Sequence, residues 1–161
     1  MVTKPHDAIT MLIADHKNVR ALFAQYEKLS DRSKVNKKKL ADQICHELLM
    51  HAQIEEQIFY PAVRKPIHDD ALMDEALVEH ANAKELIEQI MAMDPDDELY
   101  DAKVKVLSEQ IEHHVGEEED DMFLQVRKTK LDLNALGAEM AELKERSSAE
   151  PALSMLFHSG V

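Results

Sequence analysis

The chain has 161 residues, of which 45% are apolar and 32% charged, which suits one soluble globular domain with a core of its own. A formal net charge of −13 argues against nucleic acid and anionic membranes as partners. Cys45 is the sole cysteine, so no intramolecular disulfide forms, and with three glycines there is no Gly-rich phosphate loop.

No apolar run approaches the roughly eighteen residues of a membrane span. The N-terminal Met-Val-Thr-Lys-Pro-His-Asp lacks the charged-then-apolar build of a signal peptide. These features point to a reducing cytoplasm.

The apolar spacing predicts a first helix from about Asp7 to Leu29, with a stripe of Ile9, Leu12, Ile13, Val19, Phe23 and Tyr26. His16 stands within that stripe. Lys37-Lys38-Lys39 reads as a solvated first turn of the next helix. That second helix is expected over about Val35–Tyr60, with Leu40, Ile44, Leu48, His51, Glu55, Ile58 and Phe59 inward and Pro66 ending it. Cys45 lies one position off the stripe and reads as a packing residue.

A third helix spans about Asp70 to Met93, capped by Asp69 or Asp70. Its stripe is Met73, Ala76, Leu77, His80, Ala83, Ile87 and Ile90. A fourth spans about Glu98 to Lys128, with Val104, Leu107, Ile111, His114, Glu118 and Met122 inward. Gly116 weakens it by about 1 kcal/mol relative to Ala, and close approach of a neighbouring helix or of a metal centre would explain its presence. From Asp132 a short amphipathic fifth helix follows, docked outside the bundle and ended by Ser147-Ser148-Ala149-Glu150-Pro151. The chain therefore reads as all-α. Residues 1–130 form an up-down-up-down four-helix bundle, and 131–161 a short extra C-terminal helix and tail.

All four bundle helices place polar groups near the middle of their apolar stripes: His16; His51 and Glu55; His80; His114 and Glu118. The two His-x-x-x-Glu pairs put an imidazole and a carboxylate on one helix face. A lone histidine on such a face is ordinarily a satisfied core residue. Six groups at comparable heights are costly to bury unless they are compensated, and metal ions supply that compensation. Four imidazoles and two carboxylates exceed a tetrahedral zinc site. They suit two ions sharing Glu55 and Glu118, completed by an oxo, hydroxo or water bridge. Iron fits this mixed N/O set, and zinc ranks below it.

His6, His46, His68, His113 and His158 read as surface residues. His113 with Glu117 rivals His114 with Glu118 but is turned about 100° from the stripe. Glu56, Glu117, Glu119, Asp120 and Asp121 read as solvated or as supports behind the ligands. His46-Glu-Leu-Leu-Met-His51 has one residue too many for a zinc-protease signature. No Glu-x-x-His occurs, which excludes ferritin-like carboxylate sites. No nucleophile constellation is visible.

On these residues the chain resembles the hemerythrin-like family, also called the HHE cation-binding domain, over about residues 7 to 128. Asp15-His16, His51-Ala-Gln-Ile-Glu-Glu-Gln-Ile-Phe-Tyr-Pro61, His80 and His114-Val-Gly-Glu-Glu118 carry the likeness. The segment Leu-Asp-Leu-Asn-Ala-Leu-Gly-Ala-Glu-Met also resembles the extra helix of some bacterial members. The resemblance implies that His16 and His51 bind one iron, His80 and His114 the other, and that Glu55 and Glu118 bridge them. Oxygen-carrying members have a fifth histidine where this chain has Lys84, a poor ligand while protonated. An extra open position favours chemistry over reversible oxygen storage.

The expected function is handling of small oxidants (peroxide, O2 or NO) at a di-iron centre, such as catalase-like peroxide breakdown. The alternative is a sensor or binding module that signals through the C-terminal helix to a protein partner. The expected ligand is a peroxide or a small diatomic molecule.

Overall fold

The computed structural model describes residues 7–148. They form five helices, and among the described residues there is no strand. α1 is Ala8–Glu27. α2 starts as an α-helix over Lys34–Ile54, passes through a π segment at Glu55–Phe59, and finishes as an α-helix over Tyr60–Ile67. α3 is Asp70–Ala92. α4 repeats the plan of α2, with α-helix over Tyr100–Glu117, a π segment over Glu118–Met122 and α-helix over Phe123–Arg127. α5 is Leu133–Ser148. His6, His158 and the expected stop at Ala149-Glu150-Pro151 lie outside the described residues.

Local chemistry sets the ends. Asp7 accepts from the Thr10 N–H at 2.8 Å and caps α1, and Asp69 accepts from the Leu72 N–H at 3.2 Å and caps α3. α2 runs past the expected Tyr60. Pro66 falls in its last turn, and His68 ends it in the left-handed conformation, with φ 53. The connections at 28–33, 68–69 and 93–99 are short, so α1 to α4 run up, down, up and down. α5 packs on the outside of α1 and α2, burying Leu136, Met140 and Leu143.

The core runs along the bundle axis on either side of its middle. Ile9, Leu12, Ile44, Phe59, Met73, Ile87, Ile90, Tyr100, Leu107 and Met122 are almost wholly inaccessible. Burying each such side chain contributes about 1.5–3 kcal/mol. Cys45 is buried among them, as its position off the stripe suggested.

Three expectations are corrected. Lys37 and Lys38 are not solvated. Lys37 is buried, with Nζ 3.0 Å from Asp101 Oδ2, and Lys38 donates to the Met91 and Met93 carbonyls at the end of α3. A long lysine stem lies along apolar surface while its head finds an acceptor. Leu77 is 41% exposed, because α3 turns that flank to solvent beside a surface groove. At Gly116 an added Cβ would meet nothing within 4 Å, so no close approach requires the glycine.

Candidate metal centre

The two π segments begin at Glu55 and Glu118, the carboxylates of the two His-x-x-x-Glu pairs. A π turn carries one extra residue, so the buried face shifts round the helix beyond it. In α2 the buried residues after Glu55 are Phe59, Tyr60 and Val63. In α4 those after Glu118 are Met122, Phe123 and Val126. The same offset relates His51 to His114, Glu55 to Glu118 and Tyr60 to Phe123. The centre therefore has two pseudo-equivalent halves, and one hydroxyl distinguishes them.

The structure brings all six expected residues together. Ligand atoms of His16, His51, Glu55 and Glu118 lie within 4.8 Å of one another, as do those of Glu55, His80 and His114. His16 Nε2 is 3.1 Å from Glu118 Oε1, and His51 Nε2 is 3.3 Å from Glu55 Oε1. In the other half His80 Nε2 is 3.0 Å from Glu55 Oε1, and His114 Nε2 is 3.5 Å from Glu118 Oε2. Glu55 and Glu118 are completely inaccessible, so both carboxylates reach both halves from inside the core.

The outer ring nitrogens are held just as regularly. Each Nδ1–H donates to a carboxylate on a different helix: His16 to Glu119 at 2.7 Å, His51 to Asp15 at 2.9 Å, His80 to Glu56 at 2.7 Å, His114 to Glu79 at 2.7 Å. Asp15 on α1 supports α2, Glu56 on α2 supports α3, Glu79 on α3 supports α4, and Glu119 on α4 supports α1. The ring closes. A carboxylate behind a histidine fixes its tautomer, turns Nε2 inward and raises its basicity, which is the usual support of a metal-ligating imidazole. Asp15 and Glu79 were not anticipated in this role. Their signal is that each directly precedes one of the inward histidines in the sequence.

Tyr60 completes the interior. Its hydroxyl donates to Glu118 Oε2 at 2.7 Å and lies 3.2 Å from Glu55 Oε1, 3.1 Å from His80 Nε2 and 3.2 Å from His114 Nε2. Its pseudo-equivalent Phe123 stacks on His16, with centroids 5.9 Å apart and planes at 6°. Tyr60 was visible in the sequence as part of the Ile-Phe-Tyr-Pro tract, without an assigned role.

The electrostatics follow from packing imidazoles and carboxylates into one buried space. Burial works against ionising His51, but the Glu55 charge and the Asp15 hydrogen bond push its pKa up to about 10. Burial likewise opposes, and the Glu118 and Glu55 carboxylates outweigh it, at His114, pushed up to about 12. His80 is raised against burial by Glu55 and Glu56. Burial also opposes the lowering of Glu55, which the His51 charge and neighbouring hydrogen bonds hold well below the carboxylate range. Burial and the Glu118 and Glu55 charges raise Tyr60, which stays a phenol. A cation entering this space displaces protons from the imidazoles.

The donor set fits such a cation. Glu55 Oε2 and His51 Nε2 are buried without a hydrogen-bond partner. A native core seldom leaves such atoms unsatisfied without a reason. Beside them a mostly apolar cavity of about 40 Å³ is lined by His16, His51, His80 and His114, with Val19, Leu48, Ile87 and Ile111. That is more room than one water needs and suits a molecule of a few atoms. Gln110 also lines it, and its Oε1 is buried without a partner.

Lys84 does not enter the centre. Its Nζ donates to Glu56 Oε1 at 2.7 Å. The rival His113 is 65% exposed and meets Glu117 and the outer oxygen of Glu79, without entering the buried cluster. His68 is also exposed, and His46 is half-buried.

A family model described as the hemerythrin HHE cation binding domain matches residues 7–126. A DNA nickase from Nostoc sp. is 30% identical over 128 residues, which are 80% of this chain and 34% of that protein. The chain thus spans about a third of the length of that relative. The crystal structure of a hemerythrin HHE cation binding domain-containing protein from Mycobacterium kansasii has a TM-score of 0.77 over 96% of this chain and 99% of that one, at 22% identity. It has the same fold.

Proposed function

From a chain that belongs to the hemerythrin HHE cation-binding domain family, we propose a non-haem di-iron protein that breaks down peroxide. His16 and His51 would hold one iron and His80 and His114 the other, with Glu55 and Glu118 within reach of both. Bound iron would supply a Lewis acid and a redox couple for the overall change of two hydrogen peroxide molecules into two waters and one dioxygen.

One observation carries the choice of peroxide: the small cavity beside the four imidazoles is lined by Gln110, whose Oε1 is buried without a partner. Hydrogen peroxide has an O–H to give it, whereas O2 and NO have none. Apolar walls at Val19, Leu48, Ile87 and Ile111 keep bulk water away. Tyr60, next to Glu118 and Glu55, holds a proton at the inner edge of the His80–His114 half. Lys84, engaged by Glu56, leaves that half one protein ligand short of a five-histidine site. The lone buried Cys45 suits a reducing cytoplasm. The DNA nicking named for the Nostoc relative is not extended to this chain, which spans about a third of it and carries a net charge of −13.

The test is metal content and the visible spectrum of protein purified without added metal, followed by oxygen evolution on adding peroxide. Two irons per chain and steady oxygen release are expected. His114→Ala and Glu118→Ala should lose both. Gln110→Leu should keep the iron and require more peroxide for half-maximal rate. Turnover that persists after iron is removed sinks the reading.

A second reading, a sensor, is favoured by one contact chain. Lys144 on α5 lies 3.2 Å from Asp15 Oδ1, and Asp15 Oδ2 holds His51. The state of the centre can therefore reach α5. If this is its use, protease cleavage after about residue 130 should differ between metal-loaded and metal-free protein. Identical digests would count against a sensor.

A further inference from the structure

The interior cavity and a groove of about 290 Å³ on the outer side of α3 share two residues, His80 and Lys84. One imidazole and one ion pair are the wall between them. The ion pair is Lys84 with Glu56, 2.7 Å apart, and both side chains are about a quarter exposed. The other oxygen of Glu56 accepts from His80 Nδ1. Beyond that ring lie His80 Nε2 and Glu55, whose Oε2 is buried and unpartnered. On the outside the groove is bordered by Leu77, Ala81, Glu85 and Glu88.

We infer that this groove is the loading route by which a divalent cation reaches the centre, with Lys84 as a displaceable plug upon it. The inference rests on the metal centre proposed above. Three carboxylates (Glu56, Glu85 and Glu88) face one ammonium in the groove, so it attracts cations and repels anions. A hydrated ion sheds water only as carboxylate oxygens replace it, and the groove offers these in sequence. Exposed Glu85 and Glu88 come first. Glu56 follows once Lys84 has swung away, and then come the imidazole of His80 and the orphaned oxygen of Glu55. Lys84 occupies on Glu56 the place of a passing positive charge. Its exposed flank and its flexible four-carbon stem let it leave without disturbing α3. The partial exposure of Leu77 follows from its place at the groove's mouth.

The experiment is stopped-flow uptake of Co(II) by the full chain after chelator stripping, read from the visible absorption of the bound ion. Lys84→Gln should load faster by about 3- to 10-fold, and Glu85→Gln with Glu88→Gln slower by about as much, each with unchanged final stoichiometry. Glu139→Gln with Glu142→Gln on α5 removes the same charge from a distant exposed face, and should load at the wild-type rate. Release of Co(II) from the loaded chain to excess EDTA should be quicker in Lys84→Gln as well, which tests the route in the outward direction. Equal rates in all variants, or equal slowing by the α5 pair, would overturn the route and leave the centre standing. No uptake by the wild-type chain would overturn both.

Discussion

Each inward imidazole leans on a carboxylate from another helix, and four such supports make a closed ring. Removing one support should loosen one ion without unfolding the bundle. Losing such a carboxylate typically costs about 10–100-fold in metal affinity. Glu119→Ala should weaken metal binding at the His16–His51 half by that amount, read by competition with a chelator of known affinity. Glu119→Gln, which retains an acceptor for Nδ1–H, should lie between it and wild type. Wild-type affinity in Glu119→Ala would show that Glu119 does not orient His16. The six inner residues were legible in the sequence because a polar group on an apolar stripe stands out. The supports were legible only in part: Glu56 and Glu119 were among five carboxylates read as solvated or supporting, and Asp15 and Glu79 were given no such role. Asp15, Glu56, Glu79 and Glu119 each adjoin an inner residue in sequence yet bond an imidazole on a different helix. A one-residue step along a helix is a turn of about 100°, and which neighbour lies that way depends on how the helices meet.

The helices themselves were readable, because the stripes repeat at helical spacing and the breaks carry Asp, Pro and Ser. The π segments were not. Ile58 and Phe59 both satisfy a plain α-helical stripe after Glu55, so nothing in the spacing demanded an extra residue. The structure buries Phe59 completely and leaves Ile58 half-exposed, the sign of a shifted register. The shift places Tyr60 over the centre and Val63 in the core. Gln57 is exposed within the π segment, and an alanine inserted beside it is one residue more than the π turn absorbs, so everything beyond it turns by about 100°. Phe59, Tyr60 and Val63 should then leave their sites. The expected loss is roughly 3–5 kcal/mol, comparable to truncating a buried aromatic, seen as a lowered urea midpoint. The visible spectrum of the loaded centre should change as well. An insertion variant that unfolds at the wild-type midpoint would show that the register beyond Glu55 does not hold the core.

Across the whole bundle, the centre is one tie and a second lies about 15 Å along α1, ten residues beyond His16. There Tyr26 of α1 donates to Asp101 Oδ1 at 2.6 Å, and Lys37 of α2 donates to Asp101 Oδ2 at 3.0 Å. Asp101 belongs to α4, so one carboxylate joins three helices. Reading Lys37 as part of a solvated run missed this, since three adjacent lysines look alike until one is turned inward. The Asp101 carboxyl is held below its ordinary value of 3.8, first by the Tyr26 hydrogen bond and then, against some burial, by Lys37. A depressed carboxyl contributes stability above its unfolded pKa and loses it as pH falls through the folded one. Asp101 is 54% exposed, so solvent screening limits its contribution to about 1 kcal/mol. Asp101→Asn keeps an acceptor for Tyr26 and removes the charge facing buried Lys37. The variant should therefore be less stable than wild type by about 1 kcal/mol at pH 7, and the gap should narrow at about pH 3, where wild type has begun to lose the same charge. Urea unfolding of metal-free protein at the two pH values measures this apart from the centre. An equal gap at both would mean that packing around Asp101, and not its charge, holds the three helices at that end.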